Sequence, residues 1–308
     1  MRVVVTGGTG FIGERLVRAL AARGDEVVVL SRRAGSSPSA TIVPWSPAEP
    51  GGAPWVDEVA RADAVVHLAG AGILDKRWSE AHLDDARRSR VVPTRRIAEV
   101  LAEATRAPGR ERPPVLVSAS AVGYYGFLDD GRVCDEAAPC GSDVLARMCH
   151  DWEAAAEPAV AAGLRVVKAR IGVVLGPEGG ALAQMLPAFR GFVGGPLGSG
   201  RQYLAWIHAD DAVRGLLFAL DTAALSGPVN VTAPAPVNMN EFAKTLGRVL
   251  GRPAVFRVPG FALRALIGAG AEVVLTGQNA VPARLTDAGF TFRFPALEAA
   301  LRDALAAG

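Results

Sequence analysis

Few cysteines, little net charge and no long uncharged apolar run mark this 308-residue chain. Its three cysteines, Cys134, Cys140 and Cys149, form no C-x-x-C and have no histidine partners at zinc spacing. An odd number of such thiols in a chain this size reads as reduced cysteine in a cytosolic protein, with no structural metal. Lys plus Arg number 33 against 31 Asp plus Glu, a net charge of +2 with no block of like charges. That balance predicts neither a nucleic-acid partner nor a membrane patch. No segment reaches the length of a membrane span without a charge or a Gly/Pro break, and "MRVVVTG" reads as strand and turn, not as a targeting segment. The expectation is a cytoplasmic globular protein, large enough for one main domain and a smaller lobe.

What is present is a rhythm. "VVVT" (3–6), "VVVL" (27–30), "AVVHLAG" (64–70), "VLVSAS" (115–120) and "LRVVKAR" (164–170) are continuous apolar runs, the pattern of strands covered on both faces. Segments with apolar residues at three- and four-residue spacing lie between them, two of which close on Gly24 and Gly163. Alternating strands and helices predict an α/β fold: a Rossmann-type, doubly wound parallel sheet. After residue 175 the rhythm breaks into glycine- and proline-rich sequence, then a short strand (229–232), a helix near 239–250 and a broken helical stretch. This assigns 1–175 to a nucleotide-binding domain, to which 203–226 returns, and 176–202 with 227–308 to a smaller, mainly helical C-terminal lobe.

"TGGTGFIGERL" (6–16) follows the first strand and opens the first helix, with Gly7, Gly10 and Gly13 in a G-x-x-G-x-x-G pattern and Gly8 besides. The first glycine permits a tight turn, the second a close approach of backbone to a pyrophosphate, and the third close packing of helix on strand. The helix start offers unpaired N–H groups and a positive dipole end to the phosphates. An NAD site carries an Asp or Glu at the end of the second strand; here Ser31, Arg32 and Arg33 stand there. Without the carboxylate a 2′-phosphate is not repelled, and guanidinium groups can pair with it. The cofactor these residues predict is NADP(H).

With "VVHLAG" (65–70) and "WIHADD" (206–211), the glycine motif resembles the extended short-chain dehydrogenase/reductase family, which includes sugar-nucleotide epimerases. That resemblance implies a nicotinamide cofactor and a catalytic Ser/Thr with a Tyr-x-x-x-Lys pair. The cofactor would then meet Thr6, Gly7, Gly10, Phe11, Ile12, Gly13, Ser31, Arg32, Arg33, Leu68, Ala69, Gly70, Ser118, Ala119, Cys149, Arg170 and Ile171. Counting departs from the pattern. "SASAVGYYG" puts Ala121 at the serine position unless a one-residue shift brings in Ser120, and with Glu153 as anchor the tyrosine and lysine positions fall on Leu145 and Cys149. There is no Y-x-x-x-K in the chain. The missing pair, with "GSDVLARMCHDWE", "ARIGVVLGPEGGAL", "GSGRQYLAWIHADD" and "PARLTDAGFTFRFPALEAAL", is similar to one atypical subgroup, of epimerase-family or cell-division-inhibitor-like (SulA-like) proteins with no assigned substrate.

Proton donors for a reaction must lie near the carboxyl ends of the strands, where Tyr124 and Tyr125 follow the fifth strand and join Ser120 as catalytic candidates. Tyr125 can equally pack under its loop. His208 precedes Asp210 and Asp211 at a helix start and reads as structural, while His150 beside Asp151 suits either a surface or interlobe role or a site role. Lys76 and Arg77 suit either an anionic substrate or a solvated turn, and Gln202 and Trp206 either a cleft wall or ordinary packing. The leading expectation is an NADP(H)-dependent oxidoreductase on an unknown small molecule, as monomer or homodimer. The alternative is a non-catalytic NADP(H)-binding redox sensor or cell-division regulator; epimerisation loses its support with the missing Tyr and Lys.

Overall fold

Burial on both faces turns the β-branched runs into strands. The computed structural model describes residues 1–33, 35–47, 53–107 and 112–306. The chain runs through β1 (Arg2–Thr6), α1 (Phe11–Ala22), β2 (Glu26–Ser31), β3 (Thr41–Pro44), α2 (Pro54–Arg61), β4 (Ala64–His67) and α3 (Glu80–Arg106). Then come β5 (Val115–Ala121), a 3-10 turn (Val122–Tyr125), β6 (Val133–Cys134), α4 (Val144–Ala154), α5 (Glu157–Ala161), β7 (Arg165–Ile171) and β8 (Val173–Leu175). They are followed by α6 (Gly180–Arg190), β9 (Tyr203–Leu204), β10 (Trp206–His208), α7 (Ala209–Asp221), β11 (Gly227–Val231), β12 (Val237–Asn238) and α8 (Met239–Leu250). The last elements are α9 (Gly260–Ile267), a second 3-10 turn (Gly268–Ala271), α10 (Glu272–Leu275), β13 (Asn279–Ala280), α11 (Ala283–Asp287) and α12 (Leu297–Ala306).

Among the described residues seven strands form one parallel sheet, in the order β11-β7-β5-β4-β1-β2-β3. This is the Rossmann-type doubly wound sheet that the sequence predicts. Strand order reverses at β1, which opens a crevice beyond the carboxyl ends of β1 and β4. Successive side chains of a strand point to opposite faces, so β1 feeds two cores. Val3 and Val5 pack with Leu16 and Leu20 of α1 and Leu216 of α7, while Val4 packs with Trp55 and Val59 of α2 and Ile97 and Leu101 of α3. Each such side chain contributes about 1.5–3 kcal/mol by leaving water, which holds the crevice rigid.

Two readings change. Residues 227–231 do not belong to the lobe, where the sequence assigns them: β11 pairs with β7 from Gly227↔Val167 to Val231↔Ile171, and Val229 and Val231 are buried in the main core. The expected strand at 64–70 ends at His67, freeing Leu68, Ala69 and Gly70 as a loop at the crevice. The lobe has its own core, with Leu182, Leu186 and Phe189 of α6 against Phe242 and Leu246 of α8 and Leu301 of α12. None of the described helices is long and apolar enough to cross a membrane.

Candidate nucleotide-binding site

The glycine loop is built by close approach. Gly7 sits at φ +69, where a side chain is strained, and a Cβ there would lie 2.9 Å from the backbone of Leu68 and Ala69. A Cβ on Gly13 would lie 2.1 Å from the Gly7 carbonyl, so α1 can start against the turn only with glycine at that position. Gly10 caps α1 with no side chain, leaving first-turn N–H groups for a ligand. The cradle therefore fits a pyrophosphate. Thr6, fully buried, holds it from below: its Oγ1 accepts from Ala69 N at 3.2 Å and shares a hydrogen bond with His67 Nδ1 at 2.6 Å. Burial pulls the His67 pKa down to about 3, so this imidazole is neutral.

A cleft of about 640 Å3 opens over the loop, lined by Gly7, Thr9, Gly10, Leu30, Ser31, Arg32, Arg33, Trp45, Leu68, Ala69 and Gly70. It brings together eight of the residues expected at the cofactor, from three separate strand ends. Ser31 Oγ accepts from Arg33 N at 3.1 Å, bending the chain so that both guanidinium groups are exposed, with no ion-pair partner among the described residues. Trp45, which also lines the cleft, was not legible, because β3 ahead of it is short and half-exposed; its buried Nε1 has no hydrogen-bond partner among the described residues. Arg90 of α3 was missed as well. It donates to Ala71 O at 2.8 Å and Ala86 O at 2.9 Å, and packs on the Trp152 ring, pinning the 70–71 loop. Burial lowers its pKa, an effect that the nearby Cys149 and Asp75 only partly offset.

Phe11, Ile12 and Gly13 support the cleft without lining it; a Cβ on Gly176 or Gly179 would touch the Phe11 ring, so that ring packs under the loop before α6. Ser118 and Ala119 are buried along β5, and Ile171 ends β7 half-buried.

The expected catalytic hydroxyls are committed elsewhere. Ser120 Oγ donates to Glu153 Oε1 at 2.7 Å, and Glu153 receives Arg170 Nε at 2.8 Å and Nη2 at 3.0 Å. Arg170 Nη1 donates to the Tyr125 hydroxyl at 3.1 Å, which itself donates to Asn230 Oδ1 at 2.7 Å. Asn230 N in turn donates to Glu136 Oε1 at 2.9 Å. This chain of bonds ties α4, β5, β7 and β11 together below the crevice. Burial would lower the Arg170 pKa, but the Glu153 hydrogen bonds and charge raise it above the ordinary arginine value. Tyr125 is 1% exposed and burial pushes its hydroxyl up to about 12, so it packs under the loop and is not presented to a substrate; Ser120 and Arg170, 3% exposed, are likewise turned inward. Tyr124 alone of the three candidates is partly exposed, its ring face 3.5 Å from the Arg170 Cζ.

Leu145 and Cys149 do face one position, both within 3.8 Å of where a Cβ on Gly123 would sit. Cys149 is buried rather than presented, and burial with the Glu153 charge lifts its thiol to about 12. It is therefore no nucleophile at neutral pH.

The remaining candidates separate cleanly. His208 caps α7 through Nδ1, accepting from Asp210 N at 3.2 Å, and Asp211 accepts from the backbone N–H of Arg293 and Phe294. His208, Asp210 and Asp303 bring ligand atoms within 4.8 Å of one another, but Asp210 already pairs with Arg293. His150 lies on the surface beside Asp151, and Lys76 and Arg77 are exposed. Trp206 is core, whereas Gln202 lines a second cavity of about 570 Å3 between α6, α8, α9 and α10 that no sequence pattern announces.

A parallel sheet reversing at a glycine turn, with cleft walls from the next strand ends, defines a dinucleotide-binding protein of the short-chain dehydrogenase type. The profile of the NAD dependent epimerase/dehydratase family matches residues 3–232, and that of a domain of unknown function, DUF1731, residues 258–304. The chain belongs to the NAD dependent epimerase/dehydratase family. It is 45% identical over 307 residues to the chloroplastic epimerase family protein SDR39U1 homolog of Arabidopsis thaliana, covering 98% of this chain and 86% of that one. The crystal structure of human epimerase family protein SDR39U1 (isoform 2) with NADPH is 36% identical, covers 99% of both chains and superposes with a TM-score of 0.84. A nucleoside-diphosphate sugar epimerase from Corynebacterium glutamicum is 32% identical with a TM-score of 0.79, over 99% of this chain and 58% of that one.

Proposed function

We propose that the chain is an NADP(H)-binding atypical short-chain dehydrogenase/reductase that works as an oxidoreductase on a small molecule. The carrying observation is the single cleft that joins the glycine cradle to the two unpaired guanidinium groups of Arg32 and Arg33. Its likeness to a human protein solved with NADPH supports the same choice. Bound NADP(H) supplies or accepts a hydride at its nicotinamide. The first-turn N–H groups of α1 hold the pyrophosphate, Ser31, Arg32 and Arg33 hold the 2′-phosphate, and Leu68–Gly70 wall the sugar side. Tyr124, the one partly exposed hydroxyl of the three, carries the proton; burial raises its pKa, with Arg170 opposing. The protein works in the cytoplasm as a monomer or homodimer, its three cysteines free thiols.

The internal commitment of Ser120 and Tyr125, with Leu145 and Cys149 in place of a proton-transfer pair, favours one second reading: a cofactor-dependent sensor without turnover. NADPH oxidation across a panel of aldehydes and ketones separates the two. Turnover that falls in Tyr124→Phe and survives in Tyr125→Phe supports the enzyme. Saturable NADPH binding with no oxidation by any panel member, and a protein partner retained only when NADPH is present, supports the sensor.

A further inference from the structure

Which substrate class such a protein takes is written in the second cavity, and the following rests on the oxidoreductase reading above. We infer that the cavity between α6, α8, α9 and α10 binds an uncharged, lipophilic small molecule and excludes phosphorylated sugars. At about 570 Å3 it has the size of a small-molecule site and is far larger than the packing voids of a well-filled core. Its walls come from Met185 and Phe189 of α6, Leu204 of β9, Phe242 of α8, Leu263 of α9 and Val274 of α10, and among the described residues no Asp, Glu, Lys, Arg or His lines it.

The few polar side chains there are largely spent. Gln202 gives its amide N–H groups to Leu197 O at 3.0 Å and Val274 O at 2.8 Å, and Thr276 gives its hydroxyl to Glu272 O at 2.6 Å. Gln184 and Tyr203 remain to orient a single polar group. A diphosphate drawn into such walls would lose its hydration with no cation to meet it, which costs several kcal/mol per charge at the least. An apolar molecule instead gains about 25 cal/mol for each Å2 it removes from water.

Two placements tie the cavity to the cofactor cleft and to solvent. Leu74, on the cavity wall, belongs to the loop that gives Leu68, Ala69 and Gly70 to the cleft, and Val173 lies two residues past the end of β7. On the outer side Val193 and Leu266 line the cavity yet are 57% and 74% exposed, so the apolar wall continues to the surface as an entrance.

The test uses the full chain and N-phenyl-1-naphthylamine, a neutral probe that fluoresces in apolar surroundings, with NADPH binding followed separately by its own fluorescence. The probe should bind saturably, be displaced by 1-decanol, and be displaced neither by UDP-glucose nor by NADPH. Met185→Trp on α6 and Leu263→Trp on α9, which fill the cavity from two different helices, should each weaken the probe at least about tenfold while NADPH affinity stays within about twofold. Thermal unfolding identifies a variant that fails to fold, and the other then decides. Absence of probe binding, binding unaltered by filling, or displacement by UDP-glucose overturns the inference. Probe binding without NADPH binding counts against the cofactor reading and leaves the cavity assignment standing.

Discussion

Replacing Glu153 by alanine strips the carboxylate from the buried network beneath the crevice. Arg170 then keeps a guanidinium that is 3% exposed and has lost the bonds made at 2.8 and 3.0 Å, and Ser120 loses the acceptor at 2.7 Å. Removing one partner of a buried pair costs about 3–5 kcal/mol, because the other charge stays out of water unpaired. With a urea m-value of about 3 kcal/mol/M for a chain this long, the unfolding midpoint should fall by about 1–1.7 M at unchanged m. Circular dichroism and tryptophan fluorescence should report the same transition. The triple replacement Ser120→Ala, Glu153→Leu and Arg170→Met, which leaves no uncompensated charge, should recover most of the loss. A Glu153→Ala loss below about 1 kcal/mol would refute the reasoning, since a pair worth so little behaves as if solvated.

Further outcomes follow from the same geometry. Tyr125→Phe gives up two hydrogen bonds and should cost about 1–3 kcal/mol of stability with NADPH affinity unchanged; a selective loss of turnover at full stability would restore Tyr125 as a catalytic group. Gly13→Ala drives a Cβ into the Gly7 carbonyl at 2.1 Å and should weaken NADPH at least about tenfold, which titration of NADPH fluorescence reads; wild-type affinity would remove the close-approach argument. His67 is held neutral, with a pKa of about 3 against an ordinary 6.5, so its contribution is complete above pH 6.5 and is lost as pH falls toward 3. That loss is about 1.4 kcal/mol per pH unit, and urea titrations should show a shallower acid-side slope in His67→Asn; an unchanged slope contradicts the buried neutral ring. Cys149, with its thiol near 12, should resist iodoacetamide at pH 8 in the native protein, and rapid native-state labelling there would contradict its burial.

Much of the fold was legible because both faces of a parallel sheet are apolar: β1, β2 and β4 are dominated by consecutive apolar residues, and β5 and β7 by apolar residues broken by a few polar ones. The glycine cradle was legible for a local reason too, since its turn, helix start and second strand are neighbours in sequence. Long-range pairing was not. β11 has the pattern of an ordinary short strand, and nothing within 227–231 says that it meets Val167 instead of the lobe. β3 was too short and too exposed to show a period. The fate of Ser120 and Tyr125 depended on partners 33 and 105 residues away, beyond any spacing rule. The lobe cavity gathers side chains from Leu74 to Thr276, most of them ordinary apolar residues in their own segments.

The central claim is that Ser31, Arg32 and Arg33 choose the 2′-phosphate. Isothermal titration of NADPH and NADH against the wild type and Arg32→Ala/Arg33→Ala tests it directly. Charge-assisted bonds from two exposed guanidinium groups supply about 1.5–3 kcal/mol, so NADPH should bind about 10- to 100-fold more tightly than NADH. In the double variant that preference should collapse through weaker NADPH binding, with NADH nearly unchanged, and added salt should erode it in the wild type. Equal wild-type affinities, or a preference that survives the loss of both arginines, would contradict the account.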